Sequence, residues 1–142
     1  MSVDGVELVE RFPGVDDYRR MRALAGLSEK SQAASVRSLA NTTHGVSLLR
    51  DGKVVGMGRI VGDDACFHFV VDIAVDPELQ GRGLGKRIMD ALDAWLRANA
   101  LPTAHVSLFA DGDAKHLYEK YGFRQSAKSV GMFYRVPAPP EG

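Results

Sequence analysis

Val75-Asp76-Pro77-Glu78-Leu79-Gln80-Gly81-Arg82-Gly83-Leu84-Gly85-Lys86-Arg87 decides how this chain is read. An apolar, strand-like run, Phe69-Val70-Val71-Asp72-Ile73-Ala74-Val75, leads into it. An amphipathic run leads out, with Leu84, Ile88, Leu92 and Trp95 recurring at helical spacing. Glycines at 81, 83 and 85 therefore sit at a strand-to-helix junction. There they free backbone N–H groups at a helix N-terminus, where the dipole also favours an anion. Each charge-assisted N–H to phosphate bond contributes roughly 1.5–3 kcal/mol. A handful of them holds a diphosphate without an acidic or metal residue. Arg82, Lys86 and Arg87 add positive charge at the same place, so the stretch reads as a pyrophosphate cradle.

Two rival phosphate motifs fail on their letters. A P-loop needs GxxxxGK[ST], yet Gly85-Lys86 is followed by Arg87, with no hydroxyl to hold magnesium. A Rossmann fingerprint needs GxGxxG, yet Lys86 occupies the third glycine position. What matches is [Q/R]-x-x-G-x-[G/A], as Gln80-x-x-Gly83-x-Gly85. In this the chain resembles the GCN5-related N-acetyltransferase (GNAT) family, whose acyl-coenzyme A pyrophosphate motif has that form.

A second segment is similar to the same family. Ala114-Lys115-His116-Leu117-Tyr118-Glu119-Lys120-Tyr121-Gly122-Phe123 follows the family's A-x-x-[L/F]-Y-x-K-x-G-F block. Read from the residues, Ala114, Leu117, Tyr118 and Tyr121 share one helix face, Gly122 caps the helix, and Phe123 starts a strand. The specific motifs fall within residues 67–123. The rest of the chain matches in layout only.

Bulk properties limit the alternatives. The chain has 142 residues, 45% of them apolar, which is one domain with a proper core. Eighteen basic and 18 acidic residues balance, so no basic stripe points to nucleic acid beyond the local cluster at 82–87. The first residues lack the pattern of a signal peptide, no run approaches membrane-spanning length, and Cys66 alone excludes an internal disulfide. The expectation is a cytoplasmic protein with no membrane or nucleic-acid partner.

Patterning predicts strands at 6–12, 46–50, 54–61, 66–75, 106–110 and 132–136, and helices at 16–27, 28–40, 84–98 and 114–121. Asp51-Gly52 is the preferred turn dipeptide of a hairpin. This order corresponds to the GNAT layout. The resemblance implies an α/β (α+β) fold, a mixed six- to seven-stranded sheet flanked by about four helices. Residues 1–136 form a single N-acetyltransferase domain, and 137–142, rich in proline, a disordered tail.

The resemblance also implies the chemistry. Acetyl-CoA is the cosubstrate, and a primary amine attacks its thioester directly within a ternary complex. The pantetheine arm adds, strand-like, to backbone groups of Ile73, Ala74 and Val75. The diphosphate lies on Gln80, Gly81, Arg82, Gly83, Leu84, Gly85 and Lys86. Tyr118 matches the tyrosine that protonates the departing thiolate in many members, a fitting role for a phenol with a reference pKa near 10. Asp111 stands where the family often has an asparagine contacting the cofactor, and its charge would repel phosphate. A protonated alkylamine needs a base, and the usual positions hold Phe69 and Val71, which take no proton. Asp72, the only carboxylate on that strand, is the candidate base, redirected by a bulge, with a hydrogen-bonding structural role as the alternative. His68 and His105 come next. The histidines and Cys66 show no metal-ligand spacing, so no metal is expected.

For the acceptor, the resemblance makes residues 22–29 and 126–133 the walls. Leu108-Phe109-Ala110-Asp111 and Gly131-Met132-Phe133 look like plant plastid serotonin N-acetyltransferases, so Met21, Met132 and Phe133 are candidates to line an aromatic-amine pocket or to be plain core. A small-molecule amine is the leading acceptor. A protein lysine or N-terminal amine, and a non-catalytic acetyl-CoA sensor, are the alternatives. Family members often pair, which leaves a homodimer open.

Overall fold

The computed structural model describes residues 2–139, so 140–142 of the expected tail lie outside it. A single sheet runs in chain order: β1 (Ser2–Val3), β2 (Val6–Val9), β3 (His44–Arg50), β4 (Lys53–Gly62), β5 (Phe67–Val75) and β6 (His105–Ser107). Neighbours are antiparallel except β5 and β6, which are parallel. The connection explains the switch. Antiparallel neighbours join through short turns, whereas a parallel pair needs a crossover, and α3 (Leu84–Asn99) supplies it. Helices α1 (Val15–Leu24) and α2 (Gln32–Ala40) form between β2 and β3, and α4 (Lys115–Glu119) follows β6.

Each face of the sheet buries one helical layer. On one face Leu84, Ile88, Met89, Leu92 and Leu96 of α3 pack on Val46, Leu48, Ile60 and Val70. Their i, i+4 spacing turns a single stripe toward the strands. The helix comes so close that a Cβ on Gly58 would lie 2.4 Å from Ile88 Cγ2, a position only glycine can fill. On the other face Tyr18 and Met21 of α1 pack on Val54, Met57 and Ala74.

The β4–β5 ladder slips between these layers. Met57 opposes Ala74 and Arg59 opposes Val71, so Gly58 alone faces both Asp72 and Ile73. Asp72 takes the left-handed region, φ +58°, which aspartate tolerates better than most residues. Alternation from Val70 would aim Asp72 at α3. The extra residue instead turns it to the α1 face and gives Ile73 to the α3 core.

Most expected elements form, the helix expected at 16–27 stopping at Leu24 and the strand expected at 106–110 at Ser107, with three larger differences. The first strand is a hairpin ending at Val9, because Phe12 folds over Gly45, where a Cβ would lie 2.7 Å from Phe12 Cβ. The second helix starts at Gln32, where the Ser31 hydroxyl caps it by accepting from Ala34 N–H. The strand expected at 132–136 does not form, and 120–139 carry no helix or strand. The pattern there was apolar enough, but β6 has only three residues to offer as an edge. The sheet reaches six strands through β1 instead.

Candidate functional site

β5 and β6 diverge. β6 pairs with β5 only from Phe67 to Phe69, whereas β4 pairs with β5 from His68 to Val75. Beyond Phe69, no strand of the described residues pairs with β5 on its β6 side. A cavity of about 1020 Å³ follows that edge along Val70–Val75 to Gln80. The backbone groups of Ile73, Ala74 and Val75 thus stand on a strand edge that is unpaired on this side and faces a cavity, which suits an extended chain hydrogen-bonding to them.

The cradle lies just past the end of β5. Asp76 accepts from Glu78 N–H and starts a single 3₁₀ turn, Pro77–Leu79. Gly81 (φ +82°) and Gly83 (φ +75°) are both left-handed, and Gly83 is the N-cap of α3. No side chain caps this helix and no acidic residue occupies its first turn. Arg87 N–H bonds to Gly83 O, and among the described residues none of the amides from Gly81 through Lys86 has a backbone acceptor. Those are the groups a diphosphate needs. A Cβ on Gly81 or Gly83 would touch nothing within 4 Å, so the approach to these amides is open.

The basic residues of the motif divide their duties. Arg82 is exposed. Lys86 Nζ is 2.9 Å from Asp90, one turn along α3. Arg87 Nη1 donates to Val6 O and ties α3 to β2. Tyr121 donates its hydroxyl to Asp90 at 2.6 Å, and this bond draws the Asp90 carboxyl pKa down. The second motif therefore braces the helix that carries the first.

Tyr118 and Asp111 line the same cavity as Ile73–Val75. Tyr118 is half-buried and packs edge-on against Phe123. Burial, then the charge of Asp111, pushes its phenol pKa up, so it carries its proton throughout the neutral range. Among the described residues the Tyr118 hydroxyl has no hydrogen-bond partner. Asp111 is exposed and precedes the 3₁₀ turn Gly112–Ala114.

At the other end, Asp72 is clasped. One carboxylate oxygen accepts from Arg22 Nη1 at 2.5 Å and from the Tyr18 hydroxyl at 3.3 Å. The other accepts from Arg59 Nε at 3.0 Å and lies 2.8 Å from Arg59 Nη2. Its side chain is 5% exposed. Burial and then Asp72 push the Tyr18 phenol pKa up. The bulge foreseen at Asp72 is present. The water-facing carboxylate expected of a base is not, because guanidinium and phenol protons occupy both oxygens. No local pattern marked Arg22, Arg59 or Tyr18, since they lie 50, 13 and 54 residues from Asp72.

Other candidates lie elsewhere. His68 is buried on the α3 face against Trp95, and His44 stacks on the same indole at 5.1 Å. His105 opens β6 on an exposed position. Met21 is fully buried core, and Met132 is exposed outside the cavity. Of the expected wall residues, Arg22, Ala25, Leu27, Ser28 and Phe133 line it. Among the described residues, no group of three or more His, Cys, Asp or Glu is placed to hold a metal ion, and no helix is long and apolar enough to cross a membrane.

Comparison with known proteins points to a single family. A family profile described as an acetyltransferase (GNAT) domain matches residues 42–125. A histone acetyltransferase of Glycine max is 31% identical over 111 residues, covering 78% of this chain and 47% of its own. Serotonin N-acetyltransferase 2, a chloroplastic protein of Oryza sativa subsp. japonica, is 30% identical over 126 residues, covering 87% and 56%. The chain thus spans about half the length of these curated relatives. A crystal structure from meticillin-resistant Staphylococcus aureus, described as a protein of unknown function and "Probable Acetyltransferase", superposes with a TM-score of 0.86. That protein is 33% identical, with 92% of this chain and 99% of that one covered.

Proposed function

The chain belongs to the GNAT acetyltransferase family, and from that premise we propose that it moves an acetyl group from acetyl-CoA to the primary amine of a small molecule. One observation carries the reading. A single cavity runs along the unpaired edge of β5, past the unpartnered hydroxyl of Tyr118, to Gln80, the residue before the glycine cradle. GNAT acetyltransferases use acetyl-CoA, which when bound supplies an activated thioester carbonyl.

The residues of the chain divide the work. The amides of Gly81–Lys86 hold the diphosphate, with Gln80 at the entrance and Arg82 in reach. Backbone groups of Ile73–Val75 hold the pantetheine amides and fix the thioester beside Tyr118. As the amine nitrogen bonds to the acetyl carbon, the carbon–sulfur bond breaks, Tyr118 gives its proton to the departing sulfur, and the proton that the nitrogen sheds on becoming an amide passes to water, from which Tyr118 is reprotonated. Asp111 borders the same space, and we assign it a contact to the pantetheine amides rather than to phosphate.

Asp72 acts here as a positioning residue. Its ion pairs fix Arg22 and Arg59 on the acceptor wall, and the amine reaches the site already neutral. The rate then follows the neutral fraction of the amine, so kcat/KM rises about tenfold per pH unit up to the amine pKa.

Phe69, Phe109 and Phe133 line the cavity, with Phe69 and Phe109 in edge-on contact, which supports an apolar or aromatic substituent on the acceptor. The name of the rice relative supports the same class. A protein lysine is the second reading, supported by the name of the Glycine max relative. Four basic and two acidic residues line the cavity, an arrangement that opposes a cationic tail.

A mass-spectrometric screen tests the proposal. The purified chain with acetyl-CoA is given serotonin, tryptamine, amino acids, polyamines, amino sugars and a lysine-rich peptide. We expect acetylation of small amines above the peptide. Acetylation of the peptide alone would replace the small-molecule reading with the second one.

A further inference from the structure

Two guanidinium groups share one carboxylate on the acceptor wall. Arg22 and Arg59 are 8% and 4% exposed, and Asp72 is their only ion-pair partner among the described residues. One unit of positive charge is thus held nearly out of water without a counter-ion, and such a charge is costly unless something anionic meets it. The two arginines differ in what they have left to give. A guanidinium has five N–H donors. Arg59 spends its own on both Asp72 contacts, on Ser38 O, on Thr42 Oγ1 and on Ser38 Oγ. Arg22 has three such contacts: Asp72, Ser28 O and Ser28 Oγ. Two of its N–H donors, one on each terminal nitrogen, are uncommitted, and Arg22 lines the cavity.

Resting on the small-molecule reading above, we infer that the natural acceptor carries an anionic group, a carboxylate or phosphate, and that Arg22 binds it. The geometry suits that task. Both uncommitted donors belong to one planar fork, which matches two oxygens of a carboxylate or phosphate. Asp72 and Ser28 hold the fork by its other positions, so little side-chain freedom is lost on binding. Lys30 on the same wall adds charge of the same sign. A polyamine meets repulsion here, whereas an amino acid or an amino-phosphate presents a counter-ion to Arg22 and an amine to the thioester.

Matched pairs test this directly. The chain with acetyl-CoA is assayed on amino acids against their amides, and on phosphoethanolamine against ethanolamine, with kcat/KM expressed on the neutral fraction of each amine because the members of a pair differ in amine pKa. We expect kcat/KM at least tenfold higher for the anionic member of at least one set, and the better set names the oxygen acid. Arg22→Gln should bring that ratio close to one while leaving acetyl-CoA affinity unchanged, and Arg22→Lys should keep part of it. Equal or better turnover of the neutral members by the wild-type chain overturns the inference, as does a preference that survives in folded Arg22→Gln.

A binding arm separates this from the reading it rests on. With CoA present, N-acetyl amino acids and inorganic phosphate are titrated by calorimetry against N-acetyl amino acid amides. If no amine is acetylated yet an anion binds tenfold tighter than the amide and loses this in Arg22→Gln, the anion site stands and the small-molecule transferase reading fails. If neither anion binds tighter than the amide, the inference itself is overturned.

Discussion

The two faces of the sheet are built from different materials. Under α3 the layer is mainly apolar, with Ile88, Met89 and Leu92 fully buried on Val46, Leu48 and Ile60. Under α1 and α2 a smaller apolar cluster, Tyr18, Met21, Val54, Met57 and Ala74, adjoins two buried arginines that share one aspartate and a tyrosine hydroxyl. The apolar face needs only volume and spacing, and many side chains satisfy it. The polar face needs each donor matched to an acceptor, and a strand bulge to bring Asp72 into place. The first face supplies most of the core and the second lines the cavity.

Asp72→Asn is the harshest way to break this contrast. It leaves two buried guanidinium groups facing a neutral amide, which should cost about 3–5 kcal/mol in urea denaturation. Leu92→Ala on the other face should cost a similar ~2–5 kcal/mol through its cavity. The two differ in function. Leu92→Ala should keep its KM for acceptor, whereas Asp72→Asn should raise it, with a rate deficit that does not depend on pH. A deficit in Asp72→Asn that fades at high pH would restore Asp72 as the base.

Tyr118→Phe sharpens the catalytic side. Removing only the hydroxyl should lower kcat roughly 10²-fold, as expected for loss of a general acid, while acetyl-CoA affinity stays the same. Retained kcat would make Tyr118 a packing residue of the α3 layer.

The smallest expected effect belongs to His44, on the apolar side. Burial against Trp95 pushes its pKa below the usual 6.5, opposed by Glu10. As pH falls through 6.5, the unfolded chain takes up this proton before the folded one does. Stability is therefore full above that pH and declines below it. His44→Asn should flatten the decline of the denaturation midpoint between pH 7 and 5. An unchanged slope would assign the decline to other groups.

What the sequence made legible follows the same division. The glycine turn at the head of α3 was readable because Gly81, Gly83 and the first turn of the helix lie within a few residues of one another. The β3–β4 hairpin was readable because Asp51 and Gly52 both take positive φ, as that turn demands. The α3 stripe was readable from its period. The clamp was not, because its partners lie on α1, β4 and β5 and meet only after the sheet forms. Alternation at 132–136 read as a strand, yet a strand also needs an edge of matching length, and no pattern within the segment reports that.

The function proposed for this chain depends on acetyl-CoA being held by backbone amides at the start of α3. The most direct test is calorimetric titration of acetyl-CoA into the wild-type chain and into Gly83→Asp. The space beside Gly83 is open and aspartate tolerates a left-handed backbone, so the variant should fold. Its carboxylate would then stand among the amides assigned to the diphosphate. Tight binding by the wild type is expected, with at least a tenfold loss in the variant, about 1.4 kcal/mol. Equal affinity in a folded Gly83→Asp would contradict it.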